Sequence, residues 1–152
     1  MSVLSRMVAV GVILSGFLCA GAPASHPQPV SHSRFEVDIE DLDADIRWDG
    51  QKWSFRVEYD VEIEESAPGE AFDLVLNVID RTGAAQPVQI VVPLVTPSEV
   101  DDDELEYESS VVARFDPALV SNPKKLRVRA VVVHRGGGEV LDHEETSVKY
   151  RH

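Results

Sequence analysis

The chain has 152 residues, a formal net charge of −13 and a sequence pI near 4.6. So acidic a surface repels phosphate backbones and anionic lipid heads, which argues against nucleic acid or membrane surfaces as partners and favours cations or basic proteins. The sole cysteine is Cys19, so thiol catalysis, thiolate metal sites and disulfides are excluded from everything after it.

Residues 1–24 read as an export signal. Arg6 supplies a short positive start, Met7 to Leu18 is a compact apolar run, and Ala22-Pro23-Ala24 offers small residues where a signal peptidase inspects them. The run is shorter than the ~20 residues a helix needs to cross a bilayer, so release into a periplasm or the medium is expected. A lipid anchor on Cys19 is the rival reading. It is disfavoured because Gly16 and Leu18 stand where a branched apolar residue and a small one belong. Removal of the signal takes the charge to −14 and leaves 128 residues, enough for one domain. High net charge also keeps such a protein soluble, and a monomer is expected.

Residues 25–33 (SHPQPVSHS) read as a flexible lead-in, and residues 34–152 as the domain. From Arg34 onward apolar residues recur every second position, the period of a strand and not of a helix. Phe35, Val37 and Ile39 alternate with acids, then the phase slips, which predicts a bulge at Glu40-Asp41. Asp49-Gly50 predicts a two-residue hairpin turn pairing Trp48 with Gln51, Ile46 with Trp53, Ala44 with Phe55 and Leu42 with Val57.

Further strands are expected around Phe72–Ile79, Val88–Leu94, Leu105–Phe115, Leu126–Val132 and Val140–Tyr150. Pro87 and Pro93 mark the Val88–Leu94 strand as an edge, since proline cannot donate to a ladder. Residues 96–104 read as an acidic loop. Residues 116–123 read as a connector with one helical turn, Asp116 capping and Pro117 first. Together these predict an all-β, antiparallel, seven-stranded β-sandwich. On strand count and that connector, the layout from Arg34 to His152 resembles an immunoglobulin or fibronectin type III domain in outline. Superfolds of this kind host many functions, so the likeness implies an architecture and little else.

Candidate chemistry is sparse. Glu36-Val37-Asp38-Ile39-Glu40 is similar to the core of the laminarinase-like glycoside hydrolase motif, in which alternating acids supply nucleophile and acid/base. Asp43 and Ala44 depart from that motif's flank, so an exposed polar face is the favoured reading. Asp41, Asp43 and Asp45 are spaced like the first ligands of a calcium loop, but Ile46 and Lys52 occupy its glycine and glutamate positions. Asp101, Asp102 and Asp103, with Glu104, could join Asp41 and Asp43 in a weak calcium site at one end of the sandwich, the acids being hard oxygen ligands.

Asp80-Arg81-Thr82-Gly83 falls short of an aspartic-protease triplet and reads as a turn. His134 and His143 flank the last hairpin, with His134 expected near Val140 and His143 too far away for a shared metal. Trp53 is expected in the core, with Trp48 beside the turn. No catalytic set is complete and no cofactor motif occurs. The expected function is therefore a non-catalytic binding module for an unidentified protein partner. A calcium-dependent or carbohydrate-active sandwich using residues 36–45 and 101–104, and a structural envelope component, are the alternatives.

Overall fold

Alternation sets the architecture. A strand points successive side chains to opposite faces, so a segment such as Ser54-Phe55-Arg56-Val57-Glu58-Tyr59 must lay its aromatic and aliphatic side against another sheet. The computed structural model describes residues 35–64, 69–82 and 88–151. The export signal, Cys19 and the lead-in lie outside the described residues.

The described strands are β1 (Glu36–Trp48), β2 (Trp53–Glu64), β3 (Phe72–Asp80), β4 (Val88–Leu94), β5 (Glu99–Asp101), β6 (Glu104–Phe115), β7 (Leu126–His134), β8 (Glu139–Ser147) and β9 (Lys149–Arg151). They form a five-stranded sheet in the order β5-β6-β2-β1-β9 and a four-stranded sheet in the order β4-β3-β7-β8. Neighbours are antiparallel except β1 and β9. Without β9, this is the A-B-E-D and G-F-C strand order of the immunoglobulin sandwich, with β4 added beside β3.

The core lies between the sheets. Ile46, Phe55, Val57, Val61 and Ile63 from one sheet, and Leu74, Leu76, Ile90, Val128, Ala130 and Val132 from the other, are fully buried. Phe55 stacks on Phe115 with ring centroids 5.5 Å apart. Phe35 meets the ring of Phe72 edge-on at 5.2 Å, which pins the start of β1 to the opposite sheet. With no cysteine available, such packing and the ladders hold the two layers together.

The bulge falls where the pattern places it, between Ile39 and Asp41. There Ile39 N–H donates to Asp142 Oδ2 of β8 at 3.1 Å, linking the two sheets. β4 is an edge strand, as Pro93 requires, while Pro87 lies outside the described residues. The connector carries a 3₁₀ turn at Pro117–Leu119 with Asp116 accepting from Ala118 N–H, and a second at Pro123–Lys125 capped by Asn122.

Three expectations need correction. The first hairpin pairs Trp48 with Trp53, Ile46 with Phe55, Ala44 with Val57 and Leu42 with Tyr59, two residues away from the expected register. The reason is a four-residue loop: Asp49 Oδ1 accepts from both Gln51 N–H (2.9 Å) and Lys52 N–H (2.7 Å), drawing those residues into the turn. A shift of two preserves the faces, so the core set survives. Second, the acidic loop contains β5, which pairs with the start of β6. Third, the last strand is two strands. Buried Val148 interrupts it, β8 staying in the four-stranded sheet while β9 joins β1 in the other. Among the described residues nine strands thus stand where seven were expected, the two additions being three residues long.

Candidate functional site

The acids of β1, β2, β5 and β6 alternate with core residues and so share the outer face of the five-stranded sheet. Register then sorts them into rows across the strands. Glu36 faces Glu64, which faces Glu104, which faces Asp101. In the next row stand Asp38, Glu62, Glu106 and Glu99. Beyond the bulge, Asp41, Asp60 and Glu108 form a third. No lysine or arginine stands in these rows. Directly opposed like charges destabilise a sheet, so each row works against folding.

Cations enter only towards the far end of this face. Lys149 Nζ lies 2.6 Å from Asp43 Oδ1, Arg56 pairs with Glu58 at 2.5 Å, and Arg151 reaches Asp45 at 3.5 Å. In the second row two carboxyls, Glu62 and Glu106, are pushed above their ordinary values. Glu62 is raised from the ordinary 4.5 to about 7, chiefly because its hydrogen bond to Glu104 needs a proton; partial desolvation and the charges of Glu104 and Glu40 add to this. Glu106 is raised as well, by desolvation first and then by Asp60, Glu99, Glu108 and Glu104. Asp60 Oδ1 is buried and accepts no hydrogen bond among the described residues.

Glu62, Glu64 and Glu104 bring carboxylate oxygens within 4.8 Å of one another. Beside them Glu36, Asp38, Glu40, Glu62 and Glu64 line a shallow concavity of about 270 Å³. All are oxygen donors, suited chemically to ammonium and guanidinium groups or to a hard divalent cation.

The residues singled out from the sequence are distributed differently. Asp41 and Asp43 sit on β1, with Asp43 already paired to Lys149. Asp101 ends β5, while Asp102 and Asp103 form the β5–β6 turn, where Asp102 adopts a positive φ of 26°. β2 and β6 separate the two sets, a lateral distance of roughly 14 Å at the usual strand spacing. The sheet therefore does not bring Asp41 or Asp43 to Asp101, Asp102 and Asp103. It gathers Glu62, Glu64 and Glu104 instead, with Glu36, Asp38 and Glu40 alongside. Glu62 and Glu64 carry the ordinary polar half of an alternating strand, and only the β2–β6 register reveals their neighbours.

Of the other residues considered, His134 faces Glu139 and not Val140, and its Nε2 lies 2.5 Å from Glu70 Oε2. His143 faces Val131. Trp53 packs partly buried against the core, whereas Trp48 is 41% exposed, their rings 5.0 Å apart. Asp80 ends β3 and is buried, with Arg81 and Thr82 in the turn after it. Among the described residues no helix is long and apolar enough to cross a membrane.

No protein-family model matches the chain, and no curated protein sequence matches it. Among solved structures, it is similar to a domain of the outer membrane lipoprotein Omp28 from Porphyromonas gingivalis. The identity is 12% and the TM-score 0.44, over 87% of this chain and 100% of that one. The sandwich assignment stands on the strand order itself.

Proposed function

We propose that the chain is an exported, non-catalytic binding module whose acidic sheet face receives a basic segment of a partner protein. The observation that carries this is the stack of three cross-strand acidic rows with no lysine or arginine among them. Such rows oppose folding, and a polycation laid across them turns that repulsion into attraction. Rows two residues apart along a strand repeat every ~6.8 Å, the spacing of alternate side chains in an extended peptide. A segment with lysine or arginine at every second position therefore matches the face when it runs along β2. The export half rests on Arg6, the apolar run Met7–Leu18 and Ala22-Pro23-Ala24.

The test is calorimetric titration with an alternating-lysine peptide at low and at physiological salt. Expected are saturable binding that weakens with salt, and its loss in a Glu36→Gln, Asp38→Asn, Glu62→Gln, Glu106→Gln variant. An Asp102→Asn, Asp103→Asn, Asp116→Asn, Glu144→Gln variant, which also removes four acids, is the control for net charge. Equal loss in both variants would reduce the effect to bulk charge and overturn the proposal.

A second reading has its own observation. The convergence of Glu62, Glu64 and Glu104 oxygens within 4.8 Å suits calcium. Bound calcium would raise the melting temperature by mass action, and no shift at millimolar calcium would remove this reading.

A further inference from the structure

The cations of this molecule are unevenly shared between its two ends. At the end of the sandwich where β1 begins and β7 stops, Arg135 is the one described lysine or arginine, and Asp73 pairs with it at 2.5 Å. At the opposite end, Arg81, Lys124 and Lys125 line one concavity of about 330 Å³. Among the described residues none of these three forms an ion pair, in a chain whose net charge is −13. Arg47, Lys52 and Arg129 also form none, but Arg81, Lys124 and Lys125 are the three that share one hollow.

Their spacing is fixed from beneath. Asp80 is 6% exposed, and its carboxylate accepts from Thr82 N–H (2.8 Å), Thr82 Oγ1 (2.7 Å) and Ser121 Oγ. It thereby ties the turn carrying Arg81 to the connector leading into Lys124 and Lys125. Arg81 N–H donates to the Lys125 carbonyl at 2.9 Å, and Lys124 N–H to Asn122 Oδ1 at 3.0 Å. Lys124 Nζ lies 5.9 Å from the centroid of the Tyr150 ring. Asp80 accepts from these three donors and also feels the charge of Lys125, but no side-chain nitrogen of Arg81, Lys124 or Lys125 forms an ion pair with it, so it acts as a brace under the hollow.

We propose that Arg81, Lys124 and Lys125 form a binding site for an oxyanion group, a phosphate, sulfate or carboxylate, held in place by the Asp80 brace. A guanidinium fork and two ammonium groups offer several charge-assisted donors to one multi-oxygen anion. The site is remote from the acidic rows, and its test does not depend on them.

Amide-resolved NMR titration at constant ionic strength provides that test, using inorganic phosphate, inorganic sulfate, acetate and oligoglutamate as probes. Saturating shifts confined to residues 80–82 and 121–126 are expected. Arg81→Gln and Lys125→Gln should each weaken binding about fivefold, the effect of one exposed charge pair. Preference for phosphate or sulfate assigns a tetrahedral anion, and oligoglutamate binding far above acetate assigns carboxylates borne on a macromolecule.

The brace gives a test of opposite sign. Removing a negative charge in Asp80→Asn should strengthen anion binding if the field alone matters, and weaken it if position matters; we expect weakening. Ser121→Ala, which changes no charge and lies on the surface, should weaken it too. Shifts that never saturate, or that survive both cation substitutions, would mean an adventitious ion only and overturn the site. Tighter binding by Asp80→Asn would overturn the brace.

Discussion

Glu62 on β2 hydrogen-bonds Glu104 on β6 across a diagonal, since the register sets Glu62 opposite Glu106 and Glu64 opposite Glu104. Two carboxyl groups can share such a bond only while one keeps its proton, which lifts Glu62 to about 7. Folding therefore takes up a proton here.

The consequence for pH has an unusual sign. An acid whose folded value exceeds its unfolded one adds stability that is fully present below about 4.5 and is lost as pH rises towards 7. Asp80 and Asp49 run the other way: hydrogen bonds from Ser121 and Thr82, and from Lys52 and Gln51, hold them below the ordinary 3.8, so their contribution disappears as pH falls beneath it. Thermal melting across the range should peak on the acid side of neutrality, at about pH 5. In Glu62→Gln the decline between pH 5 and 7 should flatten, and an unchanged decline would remove Glu62 as its source.

Neutralising the rows should stabilise the fold while impairing recognition. Asp38→Asn and Glu36→Gln, each opposite an acid of β2, are expected to raise the melting temperature by roughly 2 °C apiece at neutral pH and low salt. Adding salt should shrink the gain, because screening already relieves the wild-type repulsion.

The core prediction is conventional in size. Phe55 is fully buried and stacked on Phe115, so Phe55→Ala should cost about 3–5 kcal/mol by urea denaturation. Loss of Val112, 57% exposed on the outer face of β6, should leave the denaturation midpoint nearly unchanged.

Gly50 tests the corrected hairpin. Its φ of 102° lies where side chains are strained, although the space around its Cα is open. Gly50→Ala should cost about 1–2 kcal/mol through backbone strain alone. A neutral outcome would mean that the Asp49–Lys52 loop adopts another turn.

How much of this could be read in advance depends on the range of each interaction. Phe55, Val57, Tyr59, Val61 and Ile63 announce their shared face because a strand's period is local. The bulge at Glu40-Asp41 shows as a slipped phase for the same reason. The hairpin register escaped by two residues because a side chain decided it, Asp49 capturing the amides of Gln51 and Lys52. β9 was hidden because the residues around Val148 keep alternating while the chain changes sheets. The acidic triad was least legible. Glu62 and Glu104 lie far apart in sequence, and only the pairing of β2 with β6 joins them. The candidate ligands chosen from short spacing, Asp41 and Asp43 with Asp101 to Asp103, were split by that pairing.

The crossing at Val148 has a mechanical meaning. Because β9 runs parallel to β1, the first described strand begins at one end of the sandwich and the last one finishes at the other. Tension drawing Glu36 and Arg151 apart would slide the two strands lengthwise, loading their shared hydrogen bonds together instead of peeling them one by one. A protein stretched between attachments at both ends would hold its shape up to the force that shears this three-residue clasp.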